Sequence, residues 1–498
     1  MPETVDFVIV GAGMAGLTAG ALLARAGNRV AVFDKHSKLG GYAQYFGNDP
    51  TYDASTHLIG GCGSRGWTET ALHEAGVLDR VELLPLDPVF HAILPGQRFN
   101  AYADPEKFRQ ELSALWPIEA PGIQRFFEDM ATMGRDFLTL VDGMPESGLL
   151  ARHHHRTLAS FLDDYTKDEE LQAALSALWL FAGLPPERLS LMHYVMLWHT
   201  YLVQGSASIK GGVKALSQAL ADAITERGGT VETKVQVKQL IRSRGWVTGA
   251  RLEDGREFTT RAVISTASPY DTFEQLLAAE GESEAGYPAL RQGYVFSVSA
   301  MQVHLLVNGP LEPPARTTLL YTTDDFHDAY VDLQRDQPEV AGMACTVLDM
   351  GDPGRVREGQ HMLSLFTLAP YSRADNWNVP FDARRSKDYR TLPDYVALSE
   401  RLGDAMVQRA EDLFPGLSGK IQARKVGTPL SMERYTFNTG GAAFGWSNVP
   451  EQSGANRPGP QTPFRGLYLA GHWNFPGGSI AGAITSGRIA AKVILAGM

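Results

Sequence analysis

Apolar and polar positions change their period along this chain, and the changes mark its elements. Asp6-Phe-Val-Ile-Val10 holds a short unbroken apolar run that stops at glycine, which predicts a buried strand. Gly11-Ala-Gly-Met-Ala-Gly16 then opens a helical stretch, Leu17 to Ala26, and Arg29-Val-Ala-Val-Phe33 predicts a second strand closed by Asp34. In mid-chain, Lys210-Gly-Gly212 precedes a helix to Arg227, the turn Gly228-Gly229 and strands reaching Val237. Near the C-terminus Leu467-Tyr-Leu-Ala470 predicts another strand, and Pro476-Gly-Gly478 leads into a helix from about Ser479.

Two long intervals separate these units. Residues 71–204 predict mostly helix, including an amphipathic stretch from Glu169 to Phe181. Leu189 to Val203 is crowded with aromatic and Met side chains and holds two His. It reads equally as a core helix or as the wall of an apolar tunnel or a patch dipping into a bilayer interface. Residues 286–424 contain Val295 to Leu306 and Met362 to Leu368, which alternate in part and predict sheet strands. Segment 449–463, rich in Pro, Gly and polar residues, predicts a surface loop. Residues 7–24 are uncharged, yet the start MPETVD lacks the positive region of a secretory signal. Four glycines within that run suit a turn better than a membrane span.

Composition narrows the class. At ~100–200 residues per domain, 498 residues predict two or three domains. An apolar content of 44% with 20% charged residues excludes a disordered or fibrous chain. Two Cys cannot build a disulfide framework or a four-thiolate metal site, which points to a reducing, cytoplasmic setting. A formal charge of −11 argues against a nucleic-acid partner. The 51 glycines exceed the usual ~7% and cluster at 11–20, 40–41, 60–66, 211–212, 228–229, 440–445 and 471–478.

The first cluster carries chemistry. Gly11 permits a tight turn, Gly13 lets main chain approach a pyrophosphate, and Gly16 lets helix and strand pack closely. The helix N-terminus offers unpaired N–H groups to phosphate. Asp34, roughly 20 residues on, is placed to accept hydrogen bonds from the ribose hydroxyls of a dinucleotide. A second pair, Gly40-Gly41, is not needed by a plain nicotinamide site; it resembles the GG motif of two-dinucleotide-binding-domain flavoproteins, whose loop runs along FAD.

Four separated segments resemble the phytoene desaturase family, within the wider amine-oxidase-like FAD superfamily. They are GAGMAGL…VFDK…LGGY, Lys210-Gly-Gly-Val213 through AVISTASP, Thr428-Pro-Leu430 through Tyr435 to Gly445, and Gly466 through Gly471-His472 to Gly478 and Arg488. Tyr52-Asp-Ala-Ser-Thr-His57-Leu-Ile-Gly-Gly61 is similar to the D-x-G-x-H-x-I-G stretch of carotenoid cis–trans isomerases and retinol saturases. The chain departs from the pattern at Tyr42, where Arg or Cys is common, and at Lys210, where Pro usually stands. Ser55 replaces a glycine, and His472 replaces the acid that commonly accepts a ribityl hydroxyl.

The resemblance implies an α/β fold with a Rossmann-like FAD-binding domain of the two-dinucleotide-binding-domain type. That domain is discontinuous, made of residues 1–70, 205–285 and 425–498, with an inserted α+β substrate domain from 71–204 and 286–424. It implies non-covalent FAD held by Gly11, Gly13, Met14, Ala15, Gly16, Asp34, Lys35, Gly41, Tyr42, His57, Val237, Gly471, His472, Gly478, Ser479 and Ile480. The last helix would aim its N-terminus at the pyrimidine edge of the flavin, where reduction deposits negative charge. The implied reaction is desaturation, saturation or cis–trans isomerisation of an apolar polyene or isoprenoid, with the flavin as the reacting group and His472 and Tyr435 as side-chain candidates. Quinone, oxygen or a reductase would exchange the electrons, and peripheral membrane contact stays open.

Competing readings have sequence handles. An oxidase of small polar molecules would need a clamping cation, for which Arg65, Arg291 and Arg434 are available. A non-catalytic binding protein of the same superfold would not need the intact glycines and Asp34. His153-His-His155 suggests a metal, but adjacent helical residues diverge and no Cys accompanies them, so no metal site is expected. Cys62, between Gly61 and Gly63, reads as a small residue in a tight loop rather than a covalent flavin anchor.

Overall fold

The computed structural model describes residues 2–55, 57–277, 293–334, 342–371, 377, 379 and 388–497. Phe7–Val10 is buried throughout and lies at the centre of a five-stranded parallel sheet. Its order is Thr230–Thr233, Val30–Asp34, Phe7–Val10, Ala262–Ser265, Leu467–Leu469. Alternate residues serve opposite faces, as a strand's period of two requires. Phe7, Ile9, Val30, Val32 and Ile264 pack under the helices Met14–Arg25, Val213–Thr225 and Ile480–Ala496. Val8, Val10, Ala31, Phe33 and Val263 face a small four-stranded sheet built from Glu3–Thr4, Glu257–Thr259, Trp246–Leu252 and Val237–Ser243. Burial on both faces explains why these strands read as continuous apolar runs.

Small residues set the helix spacing. A Cβ on Gly16 would lie 2.1 Å from the Gly11 carbonyl oxygen, and one on Gly487 would lie 2.2 Å from that of Ala15. The start of the first helix therefore meets the middle of the last helix in main-chain contact. The first helix begins at Met14, three residues before the predicted start, because Gly13 already serves as its N-cap.

A seven-stranded sheet forms the second layer, in the order Ile421–Gly427, Ser299–Asn308, Gln360–Ala369, Gly342–Val347, Thr317–Tyr321, Phe90–Leu94, Gln97–Ala101. All its pairs are antiparallel except Thr317–Tyr321 with Phe90–Leu94. Met301, Val303 and Leu305 pack with Leu402 and Met406 of the helix Pro393–Ala410. Ala300, Phe366, Leu368 and Ala344 face the other way, into the largest core, shared with Ala120–Val141 and Leu191–Trp198.

Several expectations change. The 71–204 interval is not helix alone: Phe90–Leu94 and Gln97–Ala101 form a hairpin that completes the second sheet. The amphipathic stretch breaks after Leu175, and Ala177–Phe181 continues as a 3-10 turn, the Ser176 hydroxyl bonding the Gln172 carbonyl at 2.7 Å. Leu191–Trp198 and the π-turn His199–Val203 are buried from Leu191 to Leu202, so this segment is core and not a bilayer patch. No helix among the described residues is long and apolar enough to cross a membrane.

Candidate functional site

The parallel strands end in a common cleft, as open α/β sheets place their ligands. Gly11, Lys35, Thr266 and Gly471 follow the strand ends and line it. The cleft together with its open mouth holds about 1,880 Å³ of space between protein atoms, part of it open to solvent. Gly11, Gly13, Met14, Ala15, Asp34, Lys35, Gly41, Tyr42, His57, Val237, Gly471, His472, Gly478, Ser479 and Ile480 all line this one cavity. Gly16 does not; it lies behind the turn against Gly11 and Ile9, where its missing side chain lets the turn close.

At one end the wall is main chain. Gly11 has φ +100° and donates its N–H to the Phe33 carbonyl at 2.8 Å, and Gly40 donates to the Ala12 carbonyl at 2.8 Å. A Cβ on Gly13 would find nothing nearer than the Gly41 Cα at 3.7 Å, and one on Gly471 nothing nearer than 3.9 Å. The helix Met14–Arg25 starts without a side-chain cap or an acidic residue in its first turn, leaving its N–H groups and dipole for an anion. Asp34 accepts from the Ala12 N–H at 2.7 Å with one oxygen and from the His36 N–H at 2.7 Å with the other. Each oxygen keeps a second lone pair for a ligand hydroxyl. Burial outweighs these bonds and raises the Asp34 pKa above its ordinary value.

In the middle stand Tyr42 and His472. The Tyr42 hydroxyl donates to the Ala442 carbonyl at 2.9 Å, and its ring meets His472 edge-on at 5.5 Å. Burial, with the Arg457 charge added, pulls the His472 pKa down to about 3, so the ring is neutral. Its Nε2 is buried and has no hydrogen-bond partner among the described residues. Ser479 caps the helix Ile480–Ala496, its hydroxyl accepting from the Gly482 N–H at 2.8 Å. That helix too has no acidic residue in its first turn.

The far end is apolar. Leu58, Phe181, Tyr201, Ala300, Phe366, Ala443 and Phe444 line it, interrupted by His57 and Gln302. His57 Nδ1 lies 2.8 Å from the Thr346 hydroxyl, and burial, then the nearby His304 and Arg316 charges, pull its pKa down to about 3.

A family model for flavin-containing amine oxidoreductases matches residues 14–495. The chain belongs to that family. A chloroplastic prolycopene isomerase of Arabidopsis thaliana is 25% identical over 516 residues, covering 99% of this chain and 82% of its own. An all-trans-retinol 13,14-reductase of Macaca fascicularis is 26% identical over 537 residues, covering 99% of this chain and 86% of its own. An oxidoreductase of Methanosarcina mazei has the same fold, with a TM-score of 0.65 at 17% identity over 99% of this chain and 100% of that one. The motif resemblance to carotenoid isomerases and retinol saturases thus extends along the chain, and the enzyme class is flavin-dependent oxidoreductase.

The residues present fit a flavin dinucleotide in this family. The backbone cradle around Gly13, Gly41 and Gly471 is one that added side chains would fill, and His472 offers a buried nitrogen with no partner among the described residues. Other candidates fall outside. Arg65 is exposed, Arg434 stacks over Tyr435, neither lines the cavity, and Arg291 lies outside the described residues. Tyr435 lines the same cavity, its ring edge-on to that of His36 with the ring centres 5.9 Å apart. Cys62 is absent from the lining and donates its thiol to the Ile59 carbonyl. His154 and His155 are exposed, and no metal-holding cluster occurs among the described residues.

Two groups escaped the sequence. Segment 449–463 is a loop with exposed residues such as Glu451, Asn456 and Gln461, but it sends Arg457 inward: that side chain is buried, donating to Asn448 Oδ1 at 2.8 Å and to the Phe444 and Trp446 carbonyls at 3.1 and 2.8 Å. Gln302 was legible only as a polar break in an apolar strand.

Proposed function

We propose that this protein binds FAD non-covalently and acts on C–C or C=C bonds of an apolar polyene or isoprenoid, by desaturation, saturation or cis–trans isomerisation. The observation that carries this reading is the cavity itself, a main-chain cradle opening into a wall of Leu58, Phe181, Phe366 and Phe444. When bound, the flavin supplies hydride or electron exchange with a substrate carbon. The chain's own residues bind and orient. Asp34 would hold ribose hydroxyls, the first helix would face the pyrophosphate, and His472 would hydrogen-bond the ribityl chain or ring edge from its neutral Nε2. The N-terminus of Ile480–Ala496 would favour the negative charge of reduced flavin. The aromatic wall excludes water from the reacting carbons. The 25% and 26% identical relatives, named for prolycopene and retinol, support a polyene as the substrate.

The test is an absorption spectrum of purified protein followed by acid precipitation, which should release FAD into the supernatant. C20–C40 polyenes in liposomes are then offered to oxidised and to reduced enzyme. Colourless protein that refuses FAD would return the chain to a binding role, and no turnover in either redox state would discard the polyene reading.

A further inference from the structure

We propose that Gln302 and His57 form a polar subsite that binds an oxygen function of the substrate, so the molecule turned over is an oxygen-bearing polyene or isoprenoid, an alcohol or carbonyl, rather than a plain hydrocarbon. This rests on the polyene reading above and narrows it.

Register brings the two residues together. Gln302 pairs directly with Phe366, and Phe366 with Ala344; one step of the pleat further, His304 pairs with Ser364, Ser364 with Thr346, and Thr346 with Thr317. Residues two apart on a strand share a face, so Gln302 and Thr346 project from the same side of the sheet as Phe366. His57 covers that side, its Nδ1 2.8 Å from the Thr346 hydroxyl and its ring 5.2 Å from that of Phe366. Gln302 and His57 thus flank one aromatic ring within the cavity wall.

Both are almost wholly removed from solvent, at 1% and 6% exposure. Both keep one nitrogen, Nε2 in each case, buried with no partner among the described residues. A buried donor left unsatisfied is costly, and an all-hydrocarbon occupant would leave both so. One ligand oxygen that reaches both nitrogens would satisfy both. A hydroxyl accepts from the Gln302 amide and gives its proton to His57, while a carbonyl accepts from the amide and from the ring N–H of the other tautomer. Because burial keeps His57 neutral, the pair suits a neutral oxygen; a carboxylate would call for a cation, and the nearby Arg316 is outside the lining and donates to the Val347 and Leu348 carbonyls, while the lining cations Lys35 and Lys38 stand at the Asp34 end.

The experiment measures binding to the holoprotein by quenching of its intrinsic fluorescence with retinol, retinal and their deoxy hydrocarbon. The oxygenated probes should bind about tenfold or more tighter than the hydrocarbon. Gln302→Met, checked by thermal unfolding and flavin content, should erase that preference and leave hydrocarbon affinity within about twofold, and His57→Leu, checked in the same way, should weaken binding of the oxygenated probes. Equal affinity for all three probes in the wild type, or loss of both affinities together in the variants, would overturn the subsite and leave the polyene reading standing. Loss of flavin from the folded variants would also overturn it, by assigning the pair to the cofactor. Failure of every probe to bind would overturn the polyene reading and the subsite with it.

Discussion

Glycines four positions or fewer apart in one motif have opposite consequences here. Gly13 has φ −74° and ψ 173°, open to any residue, and a Cβ there meets only the Gly41 Cα at 3.7 Å. Gly13→Val should therefore fold, with thermal stability near that of wild-type apoprotein, yet emerge colourless because its side chain fills the space a pyrophosphate needs. A fully yellow variant would show that the phosphate loop lies elsewhere. Gly16→Val should do the reverse: a Cβ 2.1 Å from the Gly11 carbonyl oxygen breaks the turn, and soluble expression should fall sharply. Such demands are legible in sequence because each glycine answers to neighbours a few residues away. Gln302 and Arg457 were not, because their partners arrive through sheet register and chain return. The Arg457 acceptors, Phe444, Trp446 and Asn448, belong to a different stretch, and a Pro/Gly-rich composition around the arginine signalled only a loop.

Between elements, the stretch similar to D-x-G-x-H divides its labour. His57 enters the cavity, while Asp53 fastens two elements behind it. One Asp53 oxygen accepts from the Val213 N–H at 3.0 Å, capping the helix Val213–Thr225, and the other meets Arg355 Nη1 at 3.1 Å. Arg355 also donates to the Thr51 carbonyl at 2.9 Å. The two side chains are only 4% and 7% exposed, so removing either charge strands the other in a dry setting. Asp53→Asn and Arg355→Met should each cost roughly 3–5 kcal/mol in denaturant titrations, and the double variant clearly less than the sum. Additive losses would mean that the pair is not coupled. Element order along the parallel sheet followed from periodicity, since doubly buried strands announce themselves as apolar runs. The hairpin Phe90–Leu94 to Gln97–Ala101 was overlooked, although Pro95-Gly96 between two part-apolar runs is a turn signal. The seven-stranded sheet could not be assembled from sequence at all: its strands come from both long intervals, and pairing across more than 200 residues leaves no local trace.

The molecule as a whole stacks helices, a parallel sheet and a mostly antiparallel sheet around one cleft, and this burial takes histidines with it. His57, His193, His199 and His304 are buried, and His472 is half-buried in the cleft wall. Desolvation is the first cause of a lowered pKa in each: to about 3 for His57 and His472, to about 4 for His199 and His304, and well below the ordinary value for His193. The unfolded chain takes up these protons near pH 6.5 while the native one refuses them until far lower, so stability falls as pH drops below 6.5. Each histidine contributes a slope of about 1.4 kcal/mol per pH unit, and five together roughly 7 near pH 5. Asp34, Glu146 and Glu187, whose pKa values burial raises, oppose this only as the pH approaches the carboxylate range. A native state worth ~5–15 kcal/mol should thus unfold within one to three units below pH 6.5, well before ordinary carboxylate titration. Thermal midpoints taken from pH 7.5 to 5 should hold level at first and then drop with increasing steepness. The variant His199→Asn, outside the cavity, should flatten that drop, by removing one proton from the unfolded chain's uptake. A midpoint unchanged down to pH 5 would mean that the interior admits protons, and with them the water that the apolar wall of Leu58, Phe181, Phe366 and Phe444 keeps out.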